Sequence, residues 1–365
     1  MRTFDRYILK ELAGPFFSSL LVSSLILAAG NIIQTIDMII NKGVEPMYVI
    51  KIFLYFLPYV LIFTIPISVL SAVLLGFGRL SGDNEVTAIR TSGTSLKNIL
   101  VPVIVCGFVI SLLNIPLNDK ILPQSEYGAR KLLRRMTVKH PAALLEPGVF
   151  IKGFKDYVVF VHGVSGNKLS DIRIYKPSEG EGPTRTVIAR KGEIISIPDR
   201  NSIKLRLENG SADEIDPKKP EEFYKVAFAE YQMTLSLDDA PGTKTIDKKT
   251  REKSVKELLS EIKTMKGMEG ADVPLKIELH KKFALAFSNL VFVLVGIPLA
   301  IKTHRREKFI GFGFAMGLFL LYWGIMLTGI AFAIRSVVAP WLGVWSANII
   351  LVCFAAVLYR KFILE

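Results

Sequence analysis

The sequence lacks the motifs that most soluble enzymes use for catalysis. It contains no G-x-x-x-x-G-K-S/T phosphate loop, no H-E-x-x-H pair and no G-x-S-x-G nucleophile turn. Its histidines do not stand at metal-ligand spacing from one another: His140, His162, His280 and His304. Cys106 and Cys353 both lie inside apolar runs, which is typical of small hydrophobic side chains rather than of a disulfide or a metal pair. The sequence therefore predicts a chain that is not itself an enzyme and binds no metal or cofactor.

Charge is also missing from long stretches of the chain. Half of the 365 residues are hydrophobic, and uncharged apolar runs long enough to cross a membrane predict six spans, at about 12–36, 52–77, 98–117, 283–301, 309–334 and 341–358. These runs exclude a soluble single-domain enzyme and a disordered chain. Because they contain no Asp, Glu, Lys, Arg or His, an ion-coupled carrier is disfavoured as well.

Basic residues fall mainly on one side of the predicted spans. The formal net charge is +13, but it forms no clustered patch, so nucleic acid is not expected as a partner. One set of termini and short loops is rich in Lys and Arg: Arg2, Arg6, Lys10, Arg79, Arg90, Lys97, Lys302, Arg305, Arg306, Lys308, Arg360 and Lys361. Since cytoplasmic loops carry this excess, both termini are predicted inside and the long segment 119–282 outside.

The outer segment has the pattern of a β-rich domain. Short runs of strand-forming residues alternate with turn signals such as Pro198-Asp199 and Asn209-Gly210; the runs are Val149–Lys152, Tyr157–His162, Ile172–Tyr175, Thr186–Ala189, Glu193–Ile197, Ser202–Leu207 and Phe223–Leu237. This spacing predicts a sandwich or barrel-like sheet. The chain is thus expected to have a three-span half (1–118), a β domain with flanking helices (119–275) and a second three-span half (276–365).

The loop between the second and third spans contains a candidate partner-binding helix. Asp83 or Asn84 can cap a helix from Glu85 to about Thr91, with Gly93 behind it as a stop. Val86 and Ile89 give this segment an apolar side. Such a helix can dock in a groove of a partner protein or lie on the membrane surface, and the residues alone leave both open.

Several stretches, in order along the chain, resemble the lipopolysaccharide-export permease family LptF/LptG. They cover both halves of the sequence and are Asp5–Glu11, Thr64–Pro66, Leu75–Ser81, Asn84–Gly93, Ile277–Ala284 and Gly296–Leu299. Each is a loose match by itself, but their order and spacing together are specific. The sequence is closer to LptF, because it has Gln34 where LptG carries a lysine in its first span.

The resemblance implies a fold and a function. The fold is a six-helix α-helical membrane protein with an inserted periplasmic all-β, jellyroll-like domain, located in the bacterial inner membrane. The function is that of a permease subunit of an ATP-driven transporter that extracts lipopolysaccharide and passes it to a periplasmic bridge. The implied partners are a second permease (LptG-like, or LptF-like if this chain is the G type), a cytoplasmic LptB-like ATPase dimer, and LptC- and LptA-like bridge proteins. The alternative is a membrane-anchored scaffold that transports nothing.

The resemblance also assigns candidate residues in the coupling loop. Glu85 would contact the ATPase with Arg90 beside it, and with the family match Val86 and Ile89 belong to the same coupling helix. The scaffold alternative predicts that a charge reversal at Glu85 is tolerated.

Basic residues near the outer ends of the spans are candidate contacts for lipid phosphates. They are Lys42, Lys51, Arg130, Lys131, Arg134 and Arg135, with Lys276, Lys281 and Lys282 further along the chain. The alternative for each is ordinary snorkelling to the membrane interface. Gly313 and Gly317 form a small-xxx-small pair, which predicts close helix packing either within the chain or at the seam with a second subunit.

Overall fold

The computed structural model describes residues 3–40, 45–92, 96–139, 145, 147–154, 157–176, 184–197, 202–215, 223–236, 248–265, 270–303 and 308–362. Its helices are α1 (Thr3–Ile40), α2 (Pro46–Gly82), α3 (Glu85–Thr91), α4 (Leu96–Pro116), α5 (Leu122–Lys139), α6 (Val255–Thr264), α7 (Val273–Thr303), α8 (Lys308–Ile334) and α9 (Pro340–Phe362). A π-helical turn, Leu117–Ile121, joins α4 to α5.

Six helical segments of the described chain are long and apolar enough to cross a membrane, which confirms the predicted fold class. They are Asp5–Ile33, Pro46–Gly82, Ile99–Leu133, Val273–Lys302, Gly311–Ile334 and Pro340–Lys361. Several are longer than predicted, because apolar runs show only the hydrocarbon-spanning part, whereas the helices continue past it with polar residues.

The described chain divides into two compact units. One comprises Met1–Asn31, Leu54–Tyr127 and Lys248–Glu365, and the other comprises Ile32–Phe53 and Gly128–Asp247. Within their most apolar 18-residue windows, the spans in α2 and α7 are 78% and 72% buried, whereas those in α1 and α8 are 17% and 22% buried, so α2 and α7 are central in the first unit. α1 and α8 therefore expose most of their apolar surface, which in a membrane faces lipid or another helix.

Helices α8 and α9 cross at a pair of glycines. A Cβ on Gly329 would lie 2.0 Å from the carbonyl oxygen of Gly343, and a Cβ on Gly343 would lie 2.4 Å from the carbonyl oxygen of Gly329. Backbone approach this close leaves no room for a larger residue on either helix. Small residues allow such a close approach of two helices, which the sequence predicts instead for Gly313 and Gly317.

The second unit contains one antiparallel sheet whose strands lie in sequence order: β1 (Phe150–Phe154), β2 (Tyr157–Ser165), β3 (Lys168–Lys176), β4 (Thr184–Ile197), β5 (Ser202–Ile215) and β6 (Phe223–Ser236). One face is buried in a common apolar core that includes Val161, Ile172, Ala189 and Leu207. The sequence prediction was wrong in two details. Thr186–Ala189 and Glu193–Ile197 belong to one strand, and Asn209-Gly210 lies inside β5 rather than in a turn.

A shared irregularity explains both errors. In β4 the buried positions switch from Val187 and Ala189 to Gly192 and Ile194, so the alternation slips by one residue. The neighbouring strands slip at the same level, where the paired positions skip His162, Asp171, Arg190, Asn209 and Ala229. Along one strand, the slip interrupts the two-residue alternation of buried and exposed side chains, and the sequence there resembles a turn. Across the sheet the skipped positions line up, and we call this row of five residues the fold line. The same apolar face of the sheet is buried on both sides of it.

Two residues at the fold line have left-handed backbone conformations. Asp171 has φ of +49° and Asn209 has φ of +55°. Asp and Asn tolerate this region better than other residues with a Cβ. Beside them, a Cβ on Gly210 would lie 2.2 Å from the carbonyl oxygen of Ile188, so this position requires glycine.

Helix α6 follows the β domain in the chain and is fixed in the helical unit. Ser254 and Glu257 form a capping box, and the backbone N–H of Val255 donates to Asp119 Oδ1 at 2.6 Å. Lys248 Nζ lies 2.5 Å from Glu257 Oε1. Hydrogen bonds from Lys248 and from the Ser254 backbone lower the pKa of Glu257 to about 2.

Candidate functional site

Helix α3 follows α2 after a turn of only two residues. The N–H of Asp83 donates to the Arg79 carbonyl at 2.8 Å, and Asn84 adopts the left-handed region with φ of +59°. The Asn84 carbonyl then accepts from the N–H of Ala88 at 2.9 Å and begins the next helix. The predicted bounds, Glu85–Thr91, are confirmed. Because the turn is so short, the direction of α3 is tied to the end of α2.

Glu85 is held by a chain of polar contacts that joins three helices. The Tyr7 hydroxyl on α1 donates to Glu85 Oε2 at 2.8 Å, and Arg79 Nη2 on α2 donates to the Tyr7 hydroxyl at 3.4 Å. Arg79 Nη2 also lies 2.7 Å from Oε2 of Glu11, one turn further along α1. No local pattern in the sequence predicts these partners, although Asp5–Glu11 and Leu75–Ser81 both belong to the stretches that carry the family resemblance.

The apolar side of α3 faces the protein, and contact of this helix with a partner ATPase stays a prediction. Val86 is 6% exposed, and Ile89 is partly buried against the core of the helical unit. Burial follows from the short turn, which folds α3 back onto the helix ends. The described side chains that remain at the surface of this helix include Thr87 and Ala88. Of Arg90 only the backbone lies among the described residues.

The basic residues predicted near the outer ends of the spans differ in exposure and in their contacts within the chain. Lys51 on α2 and Lys131 on α5 are exposed. The start of α2 packs against α5 through Val49 and Leu132, so the two lysines lie on adjoining helices. The other four are less informative: Arg130 already interacts within the chain, the side chains of Arg134 and Arg135 are not among the described ones, and Lys42 lies outside the described residues.

The three further lysines have partners on neighbouring residues or helices. Lys276 Nζ lies 2.5 Å from Asp272 Oδ2, and Lys281 Nζ lies 2.6 Å from Glu278 Oε2. Lys282 is 5% exposed and donates to the Asn118 carbonyl at 3.1 Å, within the π-helical turn. Lys282 thus links α7 to the π-helical turn after α4, whereas the ion pairs of Lys276 and Lys281 are local to the beginning of α7. Phosphate contact by these lysines stays a prediction.

The predicted glycine pair on α8 is open. Gly313 and Gly317 are exposed, and among the described residues no heavy atom lies within 4 Å of a Cβ built on either one. Gly324 is open in the same way. Close packing of this face within the described chain is therefore not observed. Of the two predicted alternatives, packing against a second subunit is the one that stays a prediction.

The inner face of the β domain is partly open along β6. Val226 pairs with Ala212, which belongs to the buried core, so both side chains lie on the inner face. Nevertheless Tyr224 is 65% and Val226 is 62% exposed. β6 also forms one edge of the described sheet. The domain thus presents apolar side chains beside an edge strand. Among the described residues of the whole chain, no cluster of His, Cys, Asp or Glu could hold a metal ion.

Six helices long and apolar enough to cross a membrane, an antiparallel β domain inserted between them and a short helix at the end of α2 define a multi-pass membrane protein. A family model described as "Lipopolysaccharide export system permease LptF/LptG" matches residues 6–361, and the chain belongs to this family. It is accordingly a multi-pass inner-membrane protein of the lipopolysaccharide export system.

Relatives support the family assignment. The chain is 21% identical to the lipopolysaccharide export system permease protein LptF of Escherichia coli (strain K12) over 360 residues, 97% of this chain and 93% of that protein; the LptF of Shigella flexneri matches equally. An uncharacterized protein of Rickettsia prowazekii is 25% identical over 177 residues, and the match spans 48% of each chain. The named relatives are LptF proteins, in agreement with the closer resemblance to LptF.

Proposed function

We propose that the chain is a non-catalytic permease subunit that converts ATP hydrolysis in a partner into extraction of lipopolysaccharide from the inner membrane. The observation that carries the proposal is α3, a short helix rigidly joined to α2, with Glu85 tied to α1 by Tyr7. The distribution of Lys and Arg supports an orientation with α3 and both termini in the cytoplasm and the β domain in the periplasm. A cytoplasmic ATPase dimer and a second permease subunit complete the complex.

The proposed mechanism is mechanical. When the ATPase dimer closes on ATP, it displaces α3, and the two-residue turn transmits this displacement to α2. Because α2 is central in the helical unit, its movement changes the cavity that holds the lipid between the permease subunits. The open faces of α1 and α8, including Gly313 and Gly317, are the surfaces proposed to meet the second subunit.

Lipid leaves the cavity toward the periplasmic β domain. Moving acyl chains into water costs about 0.8 kcal/mol per CH₂, so the path must offer an apolar surface. The exposed side chains of Tyr224 and Val226 support such a path along the inner face of the β domain. β6 is 14 residues long, whereas β1 has five residues and an irregular register. A long exposed edge is a template for strand addition, and we propose β6 as the joint with the LptC- and LptA-like bridge.

Lys51 and Lys131 are the proposed contacts for phosphates of the lipid head group. Both are exposed and lie on adjoining helices, and ammonium groups suit phosphate as point charges. Lys42, Arg130, Arg134 and Arg135 stay predictions for the same role. Snorkelling to the interface, the alternative, predicts that replacing Lys51 and Lys131 with Gln leaves lipid binding unchanged.

Purification of the complex tests the proposal. The tagged chain is isolated in mild detergent from native membranes as wild type, as Glu85→Lys and as Glu193→Lys, a matched charge reversal on the exposed surface of β4. We expect an ATPase and a second six-span protein to co-elute with the wild type and with Glu193→Lys. Glu85→Lys should lose the ATPase or its activity. Elution of the wild type alone, or full tolerance of Glu85→Lys, would contradict the proposal and favour the scaffold.

A further inference from the structure

The contacts around Glu85 form one directed chain of hydrogen bonds. Arg79 has only donors, Tyr7 has one hydroxyl hydrogen, and an ionised Glu85 only accepts. Since the Arg79 guanidinium donates to the Tyr7 oxygen, the Tyr7 hydrogen points to Glu85 Oε2. Each bond polarises the next one, and the contact to a carboxylate is the stronger kind. Glu11 holds the other end of the chain through Arg79.

These contacts join the most peripheral span to the coupling helix. Only 17% of the span in α1 is buried, so α1 has few anchors in the helical unit. Two anchors lie near its beginning: Ile8 is 1% exposed, and Leu12 packs over Gly76 of α2. Tyr7 and Glu11 lie on the same stretch and add polar anchors, one to α3 and one to the end of α2. The beginning of α1 therefore has to respond when α3 moves.

We infer that Tyr7 is a positioning residue, which orients the Glu85 carboxylate for the partner ATPase and links the coupling helix to α1. The inference rests on the proposed function, because it assigns to Tyr7 a role in the coupling that Glu85 is proposed to perform. The Tyr7 hydroxyl is the group that acts. Tyr7 as a whole residue is 42% exposed, so a phenylalanine at this position keeps the same limited packing and removes only the hydrogen bonds.

The test uses the complete complex in proteoliposomes and measures lipopolysaccharide released per ATP hydrolysed. A merely structural defect lowers release and ATP hydrolysis together and leaves their ratio unchanged, whereas loss of positioning lowers the ratio. For Tyr7→Phe we expect the ATPase to remain bound and the ratio to fall about two- to tenfold, the range for one hydrogen bond. Tyr55→Phe, an exposed tyrosine near the other end of α2, is the matched control and should keep the wild-type ratio.

A double-mutant cycle shows whether Tyr7 acts through Glu85. Tyr7→Phe is combined with Glu85→Ala, and Arg79→Gln is tested in the same way as a second variant. If the inference is correct, neither Tyr7→Phe nor Arg79→Gln lowers the ratio further once Glu85 is alanine.

The outcomes separate the two claims. If Glu85→Ala lowers the ratio while Tyr7→Phe changes nothing, or if the two effects simply add, the inference about Tyr7 is overturned and the proposed function stands. If Glu85→Ala itself changes nothing, both are overturned.

Discussion

At the scale of single residues, the spacing of glycines in the sequence does not show which of them pack against another helix. Gly313 and Gly317 have the small-xxx-small spacing that predicts helix contact, yet their face of α8 is open. The real contact within the chain is between Gly329 and Gly343, which no local pattern joins because they lie on different helices. Spacing shows that a helix can be approached closely, but which neighbour covers that face depends on the tertiary arrangement.

Gly329→Ala is expected to destabilise the helical unit by about 1–3 kcal/mol, because its Cβ would overlap the backbone of α9. Gly324→Ala on the same helix has open space and serves as the control. Thermal unfolding in detergent compares the two variants. Equal unfolding temperatures for the two variants would contradict the close α8–α9 crossing.

The Glu257 cap should make the stability of α6 depend on pH. Its pKa is about 2 in the folded chain and 4.5 ordinarily, so it stabilises the fold above pH 4.5 and loses this contribution as the pH falls toward 2. The carboxylate is 42% exposed, so the effect is limited to about 1 kcal/mol by solvent screening. Hydrogen exchange of α6 amides measures it. Glu257→Gln keeps the hydrogen-bonding shape without the charge, and its difference from wild type should shrink over the same pH range. A constant difference would speak against the charged cap.

At the scale of elements, the sequence predicts what is locally encoded. The six spans follow from uncharged apolar runs, and α3 follows from its capping residues and the stop behind it. The count of strands fails because the alternation slips at one level in β2 to β6, and this slip is visible only across the sheet. The contact between Tyr7 and Glu85 cannot be predicted for a related reason, since α1 and α3 are distant in sequence and meet only in the folded unit.

The fold line predicts opposite effects at two adjacent positions of β5. Gly210→Ala should destabilise the β domain by about 1–3 kcal/mol, because its Cβ would meet the Ile188 carbonyl. Asn209→Gly should be neutral or slightly stabilising in the native state, since glycine adopts positive φ freely. Limited proteolysis of the full chain over a temperature series compares the two variants. If Gly210→Ala resists protease as well as Asn209→Gly, the predicted clash at the fold line is wrong.

At the scale of the whole molecule, the chain contains two units of different chemistry. The helical unit contains α3, the proposed coupling helix, and the proposed subunit seam, and the β domain contains an open apolar inner face beside a long edge strand. Membership of the LptF/LptG family places this chain in lipopolysaccharide export, and the excess of Lys and Arg in alternate loops supports the proposed orientation.

The proposed lipid path predicts that the two faces of the β domain differ. Val226→Asp adds a charge to the inner face and should lower the amount of lipopolysaccharide passed to a bridge protein several-fold, with ATP hydrolysis unchanged. Ile188→Asp adds the same charge on the outer face, where the side chain is 41% exposed, and should have little effect. Photo-crosslinking of lipid to the bridge protein measures the difference. Equal transfer by both variants would contradict a path along the inner face.

The most direct test of the central claim is ATP-dependent release of lipopolysaccharide from proteoliposomes that contain the complete complex. Wild type, Glu85→Lys and the matched Glu193→Lys are compared under the same conditions. The account predicts that release requires ATP, that Glu193→Lys keeps it and that Glu85→Lys loses it. Release by Glu85→Lys at the wild-type rate would show that α3 does not couple the ATPase to the lipid, and the proposed mechanism would be wrong.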